Sequence, residues 1–393
     1  MKKKDQEFIK YENQNLVLEM IRTNGPISRA EIAKAANMSP TTVSRIVSSL
    51  CERGMVRETN QQETGSIGRK AILLEANENS ILSIGAEIDK GVIRLAVINF
   101  HGEINYFNEY DNPIYYDAEQ TINQLIKLVR HFIQETQIDE SKLIGIGIGV
   151  PGIIDQKYGI VMLSAQLGWR HVHAKDMIEE QVGLMTVIDN ELKIRAYAES
   201  LLGETCRDES SVLVGFTNGV GSALVVNGDV FRGNMNSAGE IGHMVIDPNG
   251  LLCECGSRGC LQTYIVEKYL IHEAQKIKPI HSLDRLFECA EKREVWAINI
   301  LERAALYIVI TINNVVCAYN PNSVILSGHL VENYPLIQKM IDEKIDTNIW
   351  TPFKDSFKLY YSSLKEKGVV QGAGLIVQQQ YVQSYKEKGS VRK

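Results

Sequence analysis

A succession of three short strands, one amphipathic helix and a buried strand is written twice along this chain, and that repetition limits its fold more than any single motif does. The first series reads Ile81 to Ile88, Val92 to Asn99 and Glu103 to Tyr110, turned at Asp89-Lys90-Gly91 and His101-Gly102. A helix from Ala118 to Gln134 and a buried strand from Leu143 to Val150 complete it. The second series begins at Val212 to Phe216, Gly221 to Val226 and Asp229 to Arg232, and runs through a long helix over 297–318 to a strand at Val324 to Leu326. Alternation and short apolar runs mark the strands, while the three-to-four spacing of apolar residues marks the helices. Two related α/β lobes with a cleft between them follow from the repeat.

The sharpest chemical signal lies in the second series. His243 precedes Cys253-Glu254-Cys255-Gly256-Ser257-Arg258-Gly259-Cys260, in which three thiols crowd into eight residues with small side chains between them. Three cysteines and one histidine can close a tetrahedral zinc site with no coordination position left for water, which makes the site structural and not catalytic. The competing reading is a Gly-rich loop of free thiols. Seven cysteines in all, an odd number, suit metal ligation in a reducing compartment better than a disulfide framework, and the other four read as buried thiols. Such a site pins the loop that carries Glu240, Ile241 and Gly242.

The amino-terminal segment has a different grammar. Leu16, Val17, Met20 and Ile21 sit at helical spacing within Tyr11 to Arg22, and Thr23-Asn24-Gly25-Pro26 stops that helix. Ser28-Arg29-Ala30-Glu31 is a capping box that starts a second helix running to about Ala36. After the turn Asn37-Met38, Ser39 caps a third helix with Pro40 in its first position, and Gly54 stops it after Arg53. Val43, Ile46, Val47 and Leu50 form the apolar stripe of this third helix, and Thr41, Ser44, Arg45 and Ser48 form the opposite one. Small hydroxyl residues around one arginine are the profile of a recognition helix, since they allow close approach to base edges while arginine reaches guanine or phosphate. A Ser/Thr-rich surface helix is the plainer alternative. Met55 to Thr59 and Ala71 to Leu74 then read as wing strands around a polar loop ending Gly68-Arg69-Lys70. Arg69 is placed to enter a minor groove, to touch phosphate or simply to be solvated.

Charge agrees with this division. Residues 1–74 hold 12 Lys/Arg against 8 Asp/Glu, a surplus of +4, so a net charge of -6 leaves -10 for the remainder. A basic head on an acidic body directs any polyanion contact to the head. At 44% hydrophobic and 23% charged residues, 393 residues exclude a wholly disordered chain and give two or three domains. No apolar run approaches the length of a membrane span, and Lys2-Lys3-Lys4 leads into Asp5-Gln6-Glu7 instead of an apolar signal core, so a cytoplasmic protein without membrane partners is expected.

Head and thiol loop together resemble the ROK family, which joins sugar repressors to sugar kinases. The residues that carry the resemblance are Ile144-Gly145-Ile146-Gly147-Ile148-Gly149-Val150-Pro151-Gly152-Ile153-Ile154-Asp155, Gly239-Glu240-Ile241-Gly242-His243 and Gly259-Cys260-Leu261-Gln262. Within the family, Asp5-Gln6-Glu7-Phe8-Ile9-Lys10, Pro26-Ile27-Ser28-Arg29-Ala30 and Leu167-Gly168-Trp169-Arg170 look most like the xylose repressors of Gram-positive bacteria. The resemblance implies a winged helix-turn-helix over 1–76 followed by an actin-like, sugar kinase-type two-lobe α/β body over 77–393.

It also implies site residues. The kinases' Asp-x-Gly-Gly-Thr phosphate turn reads here Glu87-Ile88-Asp89-Lys90-Gly91, with side chains at both glycine positions, and their Gly-Gly pair reads Ser327-Gly328-His329. The cradle for ATP is therefore expected to be lost, and with it kinase activity; no catalytic residue is assigned. The family's Asn-Asp pair falls on Asn190-Glu191, and Glu240 and His243 match its sugar-contacting Glu and shared His. Gln262 stands where the family usually has a Glu that contacts sugar, Gln166 where it has Asn, and Lys193 where a second Asn follows the pair. What the resemblance implies is a homodimeric repressor. It would meet operator DNA through Thr41, Thr42, Ser44, Arg45, Ser48 and Arg69, and leave it when a sugar, xylose, occupies the cleft at Asn190, Glu191, Glu240, His243 and Gln262. His243, Cys253, Cys255 and Cys260 would hold zinc. The alternatives are a sugar kinase with an appended DNA-binding head, or a regulator of another sugar, of a phosphosugar bound at the Gly-rich turn Gly215 to Gly221 or of a partner protein; linkage equally allows the reverse sign, in which sugar strengthens DNA binding.

Overall fold

The computed structural model describes residues 3–59 and 72–389. The chain divides into two compact units, one built from Met1–Ile148, Ala174–Ile188 and Ala373–Lys393, the other from Gly149–His173 and Asp189–Gly372.

The first unit begins with helices Lys3–Asn24, Arg29–Ala35 and Pro40–Glu52. Both expected caps are in place. The Ser28 hydroxyl accepts from the Glu31 amide at 3.2 Å while the Glu31 carboxylate accepts from the Ser28 amide at 2.8 Å, and the Ser39 hydroxyl accepts from the Thr42 amide at 3.1 Å. Val43, Ile46, Val47 and Leu50 are buried as their spacing predicts. The first helix departs from expectation: it starts at Lys3, and its buried face runs through Val17, Leu18 and Ile21, with Leu16 on the exposed flank at 45%. The wing is also shifted. Its second strand is Leu73–Ala76, paired antiparallel with Val56–Thr59 on one side and with an unforeseen two-residue strand, Ile27–Ser28, on the other. That register buries Leu73, Leu74 and Ala76, which a strand ending at Leu74 would not do. The apolar core of these helices continues into Ile81, Phe100 and Val382 of the same unit.

The capping box supplies a measurable increment. Hydrogen bonds from the Ser28 hydroxyl and amide hold the Glu31 carboxyl below its ordinary value of 4.5. A depressed carboxyl contributes stability above its ordinary value and loses it as the pH falls through the lowered one. Ser28→Ala should therefore destabilise the protein by about 1 kcal/mol at pH 7 in denaturant melts, and by less in strong acid where Glu31 is protonated.

Each unit carries a five-stranded sheet. In the first the order is Met185–Asn190, Leu143–Val150, Leu82–Asp89, Gly91–Ile98, Ile104–Asn112, and in the second it is Asp229–Val230, Val220–Val226, Ser210–Phe216, Ser323–Ser327, Lys358–Tyr361. Numbered within each series, both sheets run third, second, first, fourth, fifth, so the repeat read in the sequence is a repeat of topology. The alternating glycines of the first sheet have a packing cause: a Cβ on Gly147 would lie 1.9 Å from the Ala373 carbonyl oxygen, and one on Gly145 would lie 2.5 Å from that of Met185. The carboxy-terminal helix Gly368–Gly389 thus rests directly on strand backbone. Ser83 and Gln378 tie it there, the Ser83 hydroxyl donating to the Gly374 carbonyl at 3.0 Å and Gln378 Nε2 donating to that hydroxyl at 3.0 Å.

In the second unit, Val295–Tyr319 is the core helix, burying Ile300, Leu301, Ala304, Ile308 and Ile312 among others. Among the described residues it is the one helix long and apolar enough to cross a membrane, which corrects the expectation that no run approaches that length. Its hydrophobicity is accounted for by the core it fills. A separate antiparallel sheet, Trp169–Val172, Ile160–Ser164 and Ile153–Asp155, was not foreseen. Nor are the four remaining cysteines all buried: Cys289 is, Cys51 is intermediate, and Cys206 and Cys317 are exposed.

Candidate ligand cavity, metal centre and nucleic-acid interface

At the end of the strand Met185–Asn190 the chain enters the helix Glu191–Leu202, and Asn190 is its cap. The Asn190 side-chain oxygen accepts from the amides of Leu192 at 3.0 Å and Lys193 at 3.1 Å, and its Nδ2 donates to the Gly152 carbonyl at 2.9 Å and to Glu191 Oε2 at 3.0 Å. Both ends of the amide are fully used. Asn190 therefore orients Glu191 and fastens the helix start, a role the sequence reading had not separated from direct contact with a ligand.

Beneath this turn lies a charged network that sequence reasoning missed. Asp189 is fully buried and accepts from Arg232 at 2.5 Å, from Asn236 Nδ2 at 2.9 Å and from the Asn190 amide at 2.8 Å. Asn236 also donates to the Ile154 carbonyl at 2.9 Å, and its own carbonyl accepts from the Lys193 ammonium at 3.0 Å. Lys193 is 2% exposed, and burial pushes its pKa down from 10.5 against the opposing pull of Asp189, Glu240 and Glu191. Met235 and Asn236 adopt left-handed backbone, φ 55° and 56°, to bring these groups together.

Asn190, Glu191, Lys193, Glu240, His243 and Gln262 all line one cavity of about 720 Å³, whose walls belong entirely to the second unit; Gln166 and Gly219 complete one side of it. Every sugar-contact candidate read from the sequence is thus brought to a single space, one large enough for a monosaccharide. The carboxylates of Glu191 and Glu240, the Lys193 ammonium, the His243 imidazole and the amides of Gln166 and Gln262 give its wall both acceptors and donors, which suits a polyhydroxyl ligand. The outer glycines of the Gly-rich turn have a packing role. Gly215 and Gly221 make room for Leu192, whose methyls would lie 2.4 and 2.5 Å from a Cβ at those positions, and the Thr217 amide is taken by the Gly219 carbonyl at 3.0 Å.

Beside the cavity, one ligand atom each from His243, Cys253, Cys255 and Cys260 lies within 4.8 Å of the others. Cys255 and Cys260 sulfurs are 3.6 Å apart, and Cys253 Sγ is 3.9 Å from His243 Nδ1. Two thiolates bound tetrahedrally to zinc at 2.3 Å would stand about 3.8 Å apart, so the set fits that ion. The loop is shaped to hold this geometry: Gly259 has φ 66° and a Cβ there would sit 1.5 Å from the Asp247 carbonyl oxygen. The Ser257 amide above all holds the Cys255 thiol down to about 6, while burial pushes Cys260 up to about 12, so a thiolate at Cys260 calls for a cation beside it. His243 presents Nδ1 to Cys253 Sγ.

On the third helix, Pro40–Glu52, Thr41, Ser44, Arg45 and Ser48 are exposed. Thr42 is half-buried, and its hydroxyl shares a 2.8 Å hydrogen bond with that of Ser39, so it belongs first to the cap. Arg69 and the rest of the wing tip lie outside the described residues.

Comparison with known proteins agrees with this architecture. Residues 83–380 match the ROK family, and residues 12–57 match a winged helix-turn-helix DNA-binding family. The xylose repressor of Bacillus subtilis (strain 168) is 31% identical over 373 residues, covering 95% of this chain and 96% of that one. Among solved structures, a ROK family transcriptional regulator, a homolog of the Escherichia coli MLC protein, superposes with a TM-score of 0.82 at 25% identity over 95% of this chain and 97% of its own. A ROK family glucokinase from Streptomyces griseus, solved with glucose and AMPPNP, superposes at TM-score 0.68 and 22% identity, covering 76% of this chain and 99% of its own. The kinase likeness speaks to the fold of the body alone. An amino-terminal winged helix-turn-helix followed by an actin-like, sugar kinase-type body makes this chain a member of the ROK family.

Proposed function

We propose that this protein is a DNA-binding, sugar-responsive transcriptional repressor with xylose as its effector, acting in the cytoplasm as a homodimer. Residues 1–76 form its DNA-binding part and 77–393 its sensing part. The observation that carries the reading is the pairing, in one chain, of a recognition helix exposing Thr41, Ser44, Arg45 and Ser48 with a sugar-sized cavity lined by Glu191, Glu240, His243 and Gln262. Two recognition helices in a dimer meet half-sites roughly 34 Å apart in successive major grooves, with Arg69 at the flanking minor groove. Zinc held by His243, Cys253, Cys255 and Cys260 is structural: it supplies no reaction and fixes the loop that presents Glu240 and His243 to the sugar.

Against kinase activity, the groups that would have to meet phosphate are already engaged. The Lys90 amide donates to Asp89 Oδ1 at 2.7 Å, and the Glu87 carboxylate accepts from Arg94 at 2.8 Å. In the second unit the Gly328 amide donates to Glu332 Oε1 at 2.8 Å, and that carboxylate pairs with Arg195. A ligand can shift DNA affinity only by its preference for one conformation over another, typically about 1 to 3 kcal/mol, so release from the operator should be graded and saturable.

The test is fluorescence anisotropy on the DNA upstream of the protein's own gene, at fixed salt because phosphate contacts are salt-dependent. Titrants are xylose, glucose, N-acetylglucosamine and their phosphates. Xylose should weaken binding about 5- to 150-fold at saturation, and Arg45→Ala should weaken it about tenfold or more without sugar. A response confined to another sugar or a phosphosugar would replace the effector. ADP production that depends on sugar and vanishes in Glu191→Gln would replace the repressor reading with an enzyme.

A further inference from the structure

Gln262 faces two ways. It sits in the short helical turn Leu261–Tyr264, directly after the ligand Cys260, and is 8% exposed. Its Nε2 donates to Cys253 Sγ at 3.2 Å. With a metal on Cys253 the sulfur would be a thiolate with no hydrogen to give, and the end of the amide turned toward it would have to be the NH2, the orientation the structure has. The oxygen is thereby turned the other way, to 3.6 Å from the point where a side chain on Gly219 would begin. Gly219 has no side chain to cover it, and both residues line the cavity. Gln166 Nε2 lies 3.7 Å from the same point, so this stretch of wall offers an acceptor beside a donor.

We propose that Gln262 couples the metal centre to the cavity: the thiolate of Cys253 fixes the amide so that Gln262 is an obligate acceptor toward the effector, and the amide N–H in return stabilises the thiolate charge that holds the metal. The proposal rests on the reading of this cavity as the effector site. It makes Gln262 a specificity residue for a neutral polyol that presents a hydroxyl hydrogen at the Gly219 wall. A glutamate at this position would also accept that hydrogen, but it would have no proton to give the thiolate and would set a second negative charge beside it. Glutamine meets both demands, because its two polar ends differ. Metal occupancy and effector affinity are then linked through one side chain, and loss of the metal frees the amide to turn.

Full-length zinc-loaded protein tests this with two readouts: the rate of zinc transfer to a chromophoric chelator, and xylose affinity by calorimetry in the zinc-saturated state. Gln262→Met keeps the length and removes both polar atoms. It should release zinc about 10- to 100-fold faster, the usual cost of removing a hydrogen-bond partner of a ligand, and bind xylose about tenfold more weakly. Gln262→Glu should release zinc at least as fast as the Met variant, yet lose clearly less xylose affinity because the acceptor is retained. Zinc release at the wild-type rate in both variants overturns the proposal, as does a Glu variant that loses as much xylose affinity as the Met variant. A wild-type protein that binds no xylose overturns the effector reading and the coupling with it, while the zinc-release rates still decide the amide–thiolate contact separately.

Discussion

Cys260→Ser protein should emerge without its metal and with the sensing unit cooperatively weakened, while the DNA-binding head stays folded. Cys260 is fully buried and its sulfur stands 3.6 Å from that of Cys255, so serine cannot replace it by reaching outward, and an alkoxide is not formed at neutral pH. The loop between Val245 and Cys260 leaves Val245, Leu251 and Leu252 exposed, and apart from the thiols it is held mainly by polar contacts, among them the Ile246 amide on the Gly259 carbonyl, the Cys253 amide on the Ser257 carbonyl and the Tyr264 hydroxyl on Asp247. Structural metal sites contribute folding free energy directly, and their loss belongs to the small class of changes that cost about 4 kcal/mol or more. For a unit of this size that is about 10 °C or more in melting temperature. Calorimetry with elemental analysis checks it: about one zinc per wild-type chain, none in the variant, and a melting transition lowered to the same position by strong chelation of the wild type. Affinity for operator DNA should survive, since the apolar core of the head, Val17, Ile21, Ile32, Val43, Val47 and Leu50, contains no residue of the loop. Unchanged melting after complete metal removal would show that the thiols have no structural role.

The parts of this molecule that were legible in the sequence are those whose partners are close along the chain. Ser28 and Glu31 are three residues apart and form the capping box as read; Cys253 to Cys260 span eight residues and converge as read. The succession of strands and helices in the two units was legible because it occurs twice, whereas the order of the strands within each sheet comes from the structure. Groups that acquire meaning only at long range were not legible. Asp189, Arg232 and Asn236 are unremarkable alone, and 43 to 47 positions separate the pairs that bond. The glycine alternation in Ile144 to Gly149 was visible, but its causes, the Met185 carbonyl against Gly145 and the backbone of a helix more than two hundred residues later against Gly147, were not. Gln262 was read as an ambiguous donor and acceptor, and the ambiguity is resolved by a sulfur nine residues away in a loop whose path the sequence does not specify. The first helix erred for a local reason: Leu16 and Leu18 stand on opposite flanks of Val17, either could extend the apolar stripe, and only the packing of Val17 and Ile21 against the rest of the head decides between them.

Asp189→Ala should be the most damaging single change in the charged network beneath the start of the helix Glu191–Leu202. The carboxylate is fully buried with three donors on it, and it is the strongest opposing charge acting on the buried Lys193 ammonium. Removing one member of a buried charged set strands the others, at a typical cost of about 3 to 5 kcal/mol. Lys193 is the group left most exposed to that cost, because it is 2% solvent-accessible and its one hydrogen bond described here goes to a neutral carbonyl. If the two residues act as a unit, Lys193→Met should partly relieve Asp189→Ala. The double variant should then be less destabilised than the sum of the single ones by about 1 kcal/mol or more in denaturant titrations. Strict additivity would mean that Asp189 serves Arg232 and Asn236 alone. The same cycle read by xylose affinity separates scaffold from contact. Arg232→Met should lower affinity only as far as it loosens Asn236 and the helix start, whereas Lys193→Met removes a donor that lines the cavity and should lower affinity even where the melting curve is little changed. The sequence position where the family places asparagine would then be where this chain sets its own preference among polyols.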